Sequence, residues 1–216
     1  MSIDSQERTE RSGARGGSDG AGVRAARQAE TRRRLVEVAR EMFLADGYAA
    51  TSLDKVAERA GFSKGAVYSN FSGKEELCVA VLDSIHAEQV VQVAEVFNGP
   101  GDLDARIDRF SQWAREGIGQ PLWVALESEF GAVARQSTFV ASALRKRQRE
   151  VREAITALIE QVTREQGIVL RFPPEQAATM LLSVGIGLGA LRSIDAEVDP
   201  GMFGDVMRAL LRGTRH

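Results

Sequence analysis

The sequence predicts an all-α fold, and three features of the chain support this prediction. Helix-forming residues are abundant, whereas the 216 residues include 5 prolines and 6% aromatic residues. Apolar residues recur at the three-to-four spacing of amphipathic helices along most of the chain. No segment alternates convincingly between apolar and polar residues as a half-buried strand does. We expect an N-terminal domain of three helices and a C-terminal helical bundle domain, with about nine helices in total.

The first 27 residues differ from the rest of the chain in composition. Residues 1–27 are rich in Gly, Ser, Arg and Glu and contain almost no apolar side chains. Such a segment cannot bury enough apolar surface to offset the entropy that is lost on ordering. We therefore predict a disordered N-terminal arm.

Helical periodicity begins at Gln28, and glycines divide it into separate helices. The first helix should end at Gly47, since glycine is common at helix C-termini. Thr51 is a suitable N-cap for a second, short helix that continues to Ala60 and is stopped by Gly61. The apolar positions of the first helix are Leu35, Val38, Ala39, Met42 and Phe43.

A third helix is predicted from Ser63 to about Asn70. Ser72 and Glu75 have the spacing of a capping box, which predicts the start of a long fourth helix ending near Phe97. The sequence NGPG then forms a loop. Further helical patterns lie at about residues 102–119, 121–135, 138–166, 174–192 and 201–212.

The second and third helices have the spacing of a helix-turn-helix. This motif needs a small residue where the two helices cross, a turn residue that tolerates positive φ, and an apolar residue that packs back. Ala57, Gly61 and Val67 meet these needs in that order. With these positions buried, the outer face of the third helix consists of small and polar residues.

We interpret this outer face as a DNA-binding surface, because a helix-turn-helix inserts its second helix into the major groove. Lys64 is suited to guanine or to a phosphate, and Gly65 allows the backbone to approach closely. Asn70 is suited to adenine, and the hydroxyl of Tyr68 to a phosphate. The predicted DNA-contacting residues are Thr51, Ser63, Lys64, Gly65, Ala66, Tyr68, Ser69, Asn70 and Lys74.

The segment TSLDKVAERAGFSKGAVYSNFSGKEEL, with the amphipathic run before it, resembles the DNA-binding domain of TetR-type (tetracycline-repressor-like) transcriptional regulators. The resemblance covers about residues 30–77 and includes Thr51, Lys74 and the helix-turn-helix frame. The sequence departs from it at Ser69 and Asn70, where many members have an aromatic residue and a histidine. This departure leaves the operator sequence open.

The resemblance implies a helical homodimer with two functional parts. Residues 28–75 would bind double-stranded operator DNA, and residues 76–216 would bind a small-molecule effector and dimerise. A ligand that spreads the two DNA-binding domains would release the DNA, as in a repressor. The arginines of the arm either contact phosphates or are simply solvated.

The aromatic residues of the C-terminal part are candidates for an effector pocket. They fall in the helices that line this pocket in the family, but aromatic residues at helical spacing also form ordinary cores. Glu127, Glu129 and Arg135 are candidates for a polar contact with the ligand or for plain surface residues. The predicted pocket residues are Phe97, Phe110, Trp113, Trp123, Leu126 and Phe130.

The segment LLSVGIGLGALRS suggests close helix packing, because its glycines are costly in an isolated helix. In the family, the last two long helices form the dimer interface, so Gly185 to Ala190, with Leu210 and Leu211, are the interface candidates. Packing within one subunit is the alternative. The sequence GIGLGA also matches a dinucleotide-binding pattern, but no second strand follows it.

Other classes of function have little support in the composition. A single cysteine, Cys78, excludes an internal disulfide framework and suits the reducing cytoplasm, as either a buried thiol or a redox sensor. His86 and His216 are too far apart in sequence to suggest a zinc site. We expect no enzyme activity, cofactor, metal or membrane span. The main alternative is a helical ligand-binding or scaffold protein with a vestigial helix-turn-helix.

The net charge is distributed unevenly along the chain. Residues 1–74 carry 13 Lys and Arg against 10 Asp and Glu, and the remaining residues carry 15 against 20. The N-terminal part is thus weakly positive and the C-terminal part negative. This distribution agrees with an N-terminal part that binds an anion.

Overall fold

The computed structural model describes residues 16–211, with side chains described from residue 22 onward, and this part of the chain consists of helices and connecting loops. The predicted all-α fold is confirmed. Nine helices are present within the described residues: α1 (Gly16–Ala50), α2 (Leu53–Ala60), α3 (Lys64–Asn70), α4 (Lys74–Asn98), α5 (Leu103–Gly117), α6 (Pro121–Val133), α7 (Thr138–Gln166), α8 (Pro174–Ile194) and α9 (Met202–Leu211).

Helix α1 begins earlier than the sequence predicts. Residues 16–27 belong to α1, so the predicted disordered arm is wrong for this segment, and residues 1–15 lie outside the described residues. Adding a residue to an existing helix costs far less than nucleating one, and this segment contains good helix formers such as Ala25 and Ala26. The helix is broken at Gly47, which has φ 85° and ψ 167°, at the predicted end.

Two hydrophobic cores hold the helices together. The first contains residues of α1 to α4 together with α6 and the start of α7, including Phe43, Val67 and Phe130. The second joins the end of α4 to α5, α7, α8 and α9 around Phe110 and Phe203. Helix α4 contributes to both cores, and the predicted domain boundary between residues 75 and 76 falls inside it.

The starts of α2 and α4 differ from the predicted caps. Ser52, rather than Thr51, is the N-cap of α2, and its hydroxyl accepts a hydrogen bond from the backbone N of Lys55. Helix α4 has Gly73 as its N-cap. The predicted capping box is wrong, because the N and Oγ of Ser72 donate to Glu76 Oε2 at 2.9 and 2.8 Å instead of pairing with Glu75.

Candidate DNA-binding surface and internal cavity

Helices α2 and α3 form a helix-turn-helix with the predicted frame. Gly61 is in the left-handed conformation at φ 74°, where its N–H caps α2 by donating to carbonyls of that helix. Ala57 and Val67 are buried at the crossing of the two helices. Ser63 is the N-cap of α3, and its hydroxyl accepts a hydrogen bond from Ala66 N at 3.2 Å. The position of α3 is therefore fixed at both ends and along its inner face.

The outer face of α3 is open to solvent. The side chain of Tyr68 is 57% exposed, whereas its neighbour Val67 is fully buried. Ser63, Lys64, Gly65 and Ser69 are also exposed, and Ala66 is partly buried. The structure thus brings most of the predicted DNA-contacting residues together on one surface.

The ammonium group of Lys64 pairs with a carboxylate of α2. Its Nζ lies 2.6 Å from Asp54 Oδ2, and both side chains are largely exposed. The hydrogen bond to Asp54 raises the pKa of Lys64 above its ordinary value, so the group stays protonated. Because exposed ion pairs contribute little to stability, a DNA phosphate or a base can replace Asp54 as the partner.

The fold does not require a glycine at position 65. A Cβ at this position would meet Ser63 Oγ at 3.9 Å, which is an ordinary contact. The φ of Gly65 is not positive, so the backbone accepts any residue here. The lack of a side chain leaves the backbone of α3 accessible on this exposed surface.

Two predicted DNA-contacting side chains form hydrogen bonds within the chain. Thr51 is buried, and its hydroxyl donates to the Gly47 carbonyl at 3.0 Å, at the break in α1. Asn70 is partly buried, and its Nδ2 donates to the Ala66 carbonyl at 2.8 Å. The prediction that Thr51 faces DNA is wrong, because its side chain is buried and its hydroxyl bonds to α1. The DNA contact of Asn70 stays a prediction, since its Nδ2 bonds within α3 while its Oδ1 is buried without a partner among the described residues.

Lys74 and Arg32 flank the helix-turn-helix. Lys74 begins α4, and its Nζ lies 4.2 Å from the Tyr48 ring centroid and donates to the Ala49 carbonyl at 3.2 Å. Burial lowers the pKa of Lys74. Arg32, which the sequence reasoning missed, stacks on Phe71 at 4.1 Å and donates to the Asn70 carbonyl. It ties the end of α3 to α1.

The C-terminal bundle encloses a cavity of about 660 Å³. Four of the six predicted pocket residues line it: Phe97, Phe110, Trp113 and Trp123. Leu126 and Phe130 do not. They face α1 in the first core, where the Phe130 ring lies 5.3 Å from that of Tyr48, so their assignment to the pocket is wrong.

The cavity has a polar wall that the sequence reasoning largely missed. His86 of α4, Glu127 of α6, and Arg147 and Gln148 of α7 line it, and only Glu127 was among the candidates. Arg147 is 6% exposed. The sequence did contain a signal for Arg147, because this residue lies between Leu144 and Val151 on the apolar stripe of α7. A charged residue at a core position is unusual and indicates a specific role.

The polar residues of the cavity influence one another. His86 Nδ1 lies 2.8 Å from the Leu82 carbonyl, and its Nε2 lies 3.5 Å from Glu127 Oε1. Burial lowers the pKa of His86 and raises that of Glu127. Burial also lowers the pKa of Arg147, while Asp83 and Glu127 oppose this effect. The guanidinium remains the cation of the wall, because arginine stays protonated in proteins.

Comparison with known proteins finds relatives of the segment that contains the helix-turn-helix. A family model described as bacterial regulatory proteins, tetR family, matches residues 35–81, which include α2 and α3. The chain is 47% identical over 60 residues to the HTH-type transcriptional regulator SrpR of Pseudomonas putida, an alignment that spans 28% of each protein. It is 25% identical over 187 residues to the HTH-type transcriptional regulator UidR of Escherichia coli K12, covering 85% of this chain and 92% of UidR.

A solved structure supports the assignment of the fold. The SmeT–triclosan complex superposes with a TM-score of 0.61 at 20% identity, covering 83% of this chain and 90% of SmeT. Over residues 35–81 the chain is similar to the bacterial regulatory proteins of the tetR family. The departure from the family pattern at Ser69 and Asn70 lies at the end of α3.

The glycine-rich segment of the chain lies within α8, so the dinucleotide-binding alternative is wrong. Gly185 faces inward, where a Cβ would lie 3.0 Å from the Phe203 ring, and Gly189 is buried against Gly119. Ile186, Gly187 and Ala190 are exposed, and Ile186 and Ala190 also line the cavity. The candidate interface residues therefore divide between packing within the subunit and an exposed face.

Helix α9 and Cys78 complete the placement of the candidate residues. Leu211 is buried in the second core, and Leu210 packs against that core while partly exposed. Cys78 is buried in the first core, where burial raises its pKa to about 12. The thiol is therefore protonated and poorly reactive, which favours the structural interpretation.

Proposed function

We propose that the chain is a sequence-specific DNA-binding transcriptional regulator of the cytoplasm, acting as a homodimeric repressor that a small molecule releases from its operator. One observation supports this proposal above the others: α3 is rigidly held on its inner face and bare on its outer face. The alternative of a vestigial helix-turn-helix does not explain why α3 exposes Gly65 and Tyr68 while the buried frame of the motif is intact.

The DNA-binding surface acts through two kinds of contact. Lys64 and Lys74 supply positive charge for phosphates, and the first turn of α3 approaches base edges in the major groove. Ser63, Gly65, Ala66, Tyr68 and Ser69 complete the proposed surface. Operator recognition therefore depends on a helix of seven residues and on the lysine that begins α4.

A second copy of the chain is the proposed partner of α8. The exposed face of this helix is apolar, with Ile194 87% exposed and Leu191 57% exposed. By length and composition α8 and α4 are apolar enough to cross a membrane. For α8 we attribute this to an interface between subunits, because a large exposed apolar face indicates a protein contact.

The internal cavity is the proposed effector site, and α4 connects it to DNA binding. Helix α4 begins beside α3 with Lys74 and contributes His86 and Phe97 to the cavity wall. A ligand needs only to prefer the dimer geometry that does not fit the operator. The structure of the relative SmeT with triclosan supports the idea that this fold admits an apolar small molecule.

The test begins with selection of bound fragments from random duplex DNA, followed by affinity measurements on the selected sequence. Lys64→Ala and Tyr68→Ala should each weaken binding by about 1–3 kcal/mol, roughly 5- to 150-fold, while the dimer persists. Arg149→Ala, an exposed change on α7, is the control. Binding should also fall steeply with salt, because phosphate contacts release counterions. Unchanged affinity in both variants would argue against DNA recognition by α3.

A further inference from the structure

Arg147 is buried in the cavity wall without full use of its hydrogen-bonding groups. Its Nε lies 3.6 Å from Asp83 Oδ1, and its side chain is 7% exposed. Within the described residues, its Nη1 and Nη2 are buried and have no hydrogen-bond partner. Leaving charged donors buried and unpaired costs free energy, so such a group calls for an explanation.

The ion pair with Asp83 explains only part of this arrangement. Asp83 is 55% exposed and meets the guanidinium on its Nε side, so the two terminal nitrogens remain without an acceptor. An arginine placed solely for that pair would not need to line the cavity. A rotation of its long side chain would present the two terminal nitrogens to a molecule inside the cavity.

The other charged groups of the cavity do not oppose an anion. Among the described residues that line it, Glu127 is the one acid, and Arg147 is the one arginine or lysine. Glu127 Oε1 lies 3.5 Å from His86 Nε2, so the acid has a partner of its own. Burial raises the pKa of Glu127, which disfavours its negative form. Arg147 is therefore the charged group of the wall whose terminal nitrogens are left without acceptors among the described residues.

The rest of the cavity favours an apolar molecule of moderate size. Its volume of about 660 Å³ lies in the range of small-molecule sites, and aromatic residues such as Phe97, Phe110 and Trp113 line it. An arginine offers two parallel N–H groups whose spacing matches the two oxygens of a carboxylate.

We infer that the cavity binds an apolar monocarboxylate, with Arg147 as the anchor of the carboxylate and the aromatic wall around the apolar body. This inference rests on the proposed function, since it names the chemical class of the effector. It also explains the unpaired guanidinium, because a carboxylate would supply the missing acceptors.

A charge-matched series of pyrene compounds tests the inference. Pyrenebutanoate, pyrenebutanol and pyrenebutylamine share one apolar body and differ in the charge of the end group. Trp113 and Trp123 are the two tryptophans of the chain, and both line the cavity. Energy transfer from tryptophan to pyrene therefore reports occupancy of the cavity in the full chain without DNA.

The wild-type chain should bind pyrenebutanoate about 10-fold or more tightly than the alcohol and the amine. Arg147→Met should remove this preference while leaving the binding of the alcohol within about threefold. Arg149→Met, an exposed arginine on the same helix, should change neither affinity. If Arg147→Met disturbs the fold, Arg147→Lys decides the question, since it keeps the charge and should retain part of the preference.

Several results would overturn the inference. They are tighter binding of the amine, equal binding of the three compounds, an unchanged preference in Arg147→Met, or no binding of any compound. Operator release is measured separately by fluorescence anisotropy of labelled DNA. If pyrenebutanoate binds through Arg147 and the DNA complex persists, the ligand-released mechanism fails while the assignment of the anchor stands.

Discussion

Replacing Gly65 by alanine separates the needs of the fold from the needs of DNA binding. The new Cβ would lie 3.9 Å from Ser63 Oγ and in open space otherwise, so the folded chain accepts it without strain. Alanine is favoured over glycine in a helix by up to about 1 kcal/mol, so the melting temperature should stay the same or rise slightly. Operator affinity should nevertheless fall, because the methyl group lies where the backbone approaches the bases.

The expected loss can be bounded from the contacts at stake. One well-formed contact to a base edge contributes about 1–3 kcal/mol, so Gly65→Ala should weaken operator binding roughly 5- to 150-fold. Anisotropy of a labelled operator measures the affinity, and thermal unfolding followed by circular dichroism measures stability. Gly131→Ala is the matched control, since this glycine lies on α6 and a Cβ there would meet nothing within 4 Å. Normal operator affinity in Gly65→Ala would refute the reasoning.

Four other predictions concern coupling, assembly and titration. Glu129 Oε2 of α6 accepts hydrogen bonds from Tyr48 N and Ala49 N at the break in α1, which connects the two helices. Glu129→Ala should bind DNA within about threefold of wild type but release less of it when ligand is added, as measured by anisotropy. Full release of the DNA would contradict this role of the α1–α6 contact. Leu191→Glu should shift the dimer to monomer in analytical ultracentrifugation, since it places a charge on the exposed apolar face of α8, and an unchanged dimer would exclude this face. Burial raises the pKa of Glu127, so the folded chain loses stability as the pH rises through the folded-state pKa of this carboxyl. Glu127→Gln should therefore raise the melting temperature at pH 7. The difference from wild type should vanish at low pH, where the carboxyl is protonated in both the folded and the unfolded state. The single thiol, Cys78, should react with iodoacetamide far more slowly in the native chain than in denaturant, and equal rates would show that it is accessible.

Local sequence signals predicted the helices and the helix-turn-helix frame. The predicted helix at 138–166 matches α7 (Thr138–Gln166), because capping residues and apolar spacing are properties of the nearby sequence. Gly61 was identified for the same reason, since its left-handed conformation is a local backbone requirement. The start of α1 was placed less well, because an exposed helix can extend from a packed one without any apolar signal of its own.

Tertiary packing decided which candidate side chains face outward. Thr51 and Tyr68 both carry hydroxyls near the motif, but α1 buries the first while α3 exposes the second. Leu126 and Trp123 lie on one helix, yet the first packs against α1 and the second lines the cavity. Whether a side chain is buried, and against what, depends on the neighbouring helices. The spacing of residues along one helix does not identify those neighbours.

By itself, the sequence determined that the chain is helical and carries a DNA-binding motif, because helix formation and tight turns depend on residues close together in the chain. The cavity and its buried arginine followed only from the tertiary structure. His86, Glu127 and Arg147 come from three different helices, far apart in sequence, and only the packing of α4, α6 and α7 brings them to one wall. That packing depends on shapes and contacts between distant segments, which local patterns of residues do not record.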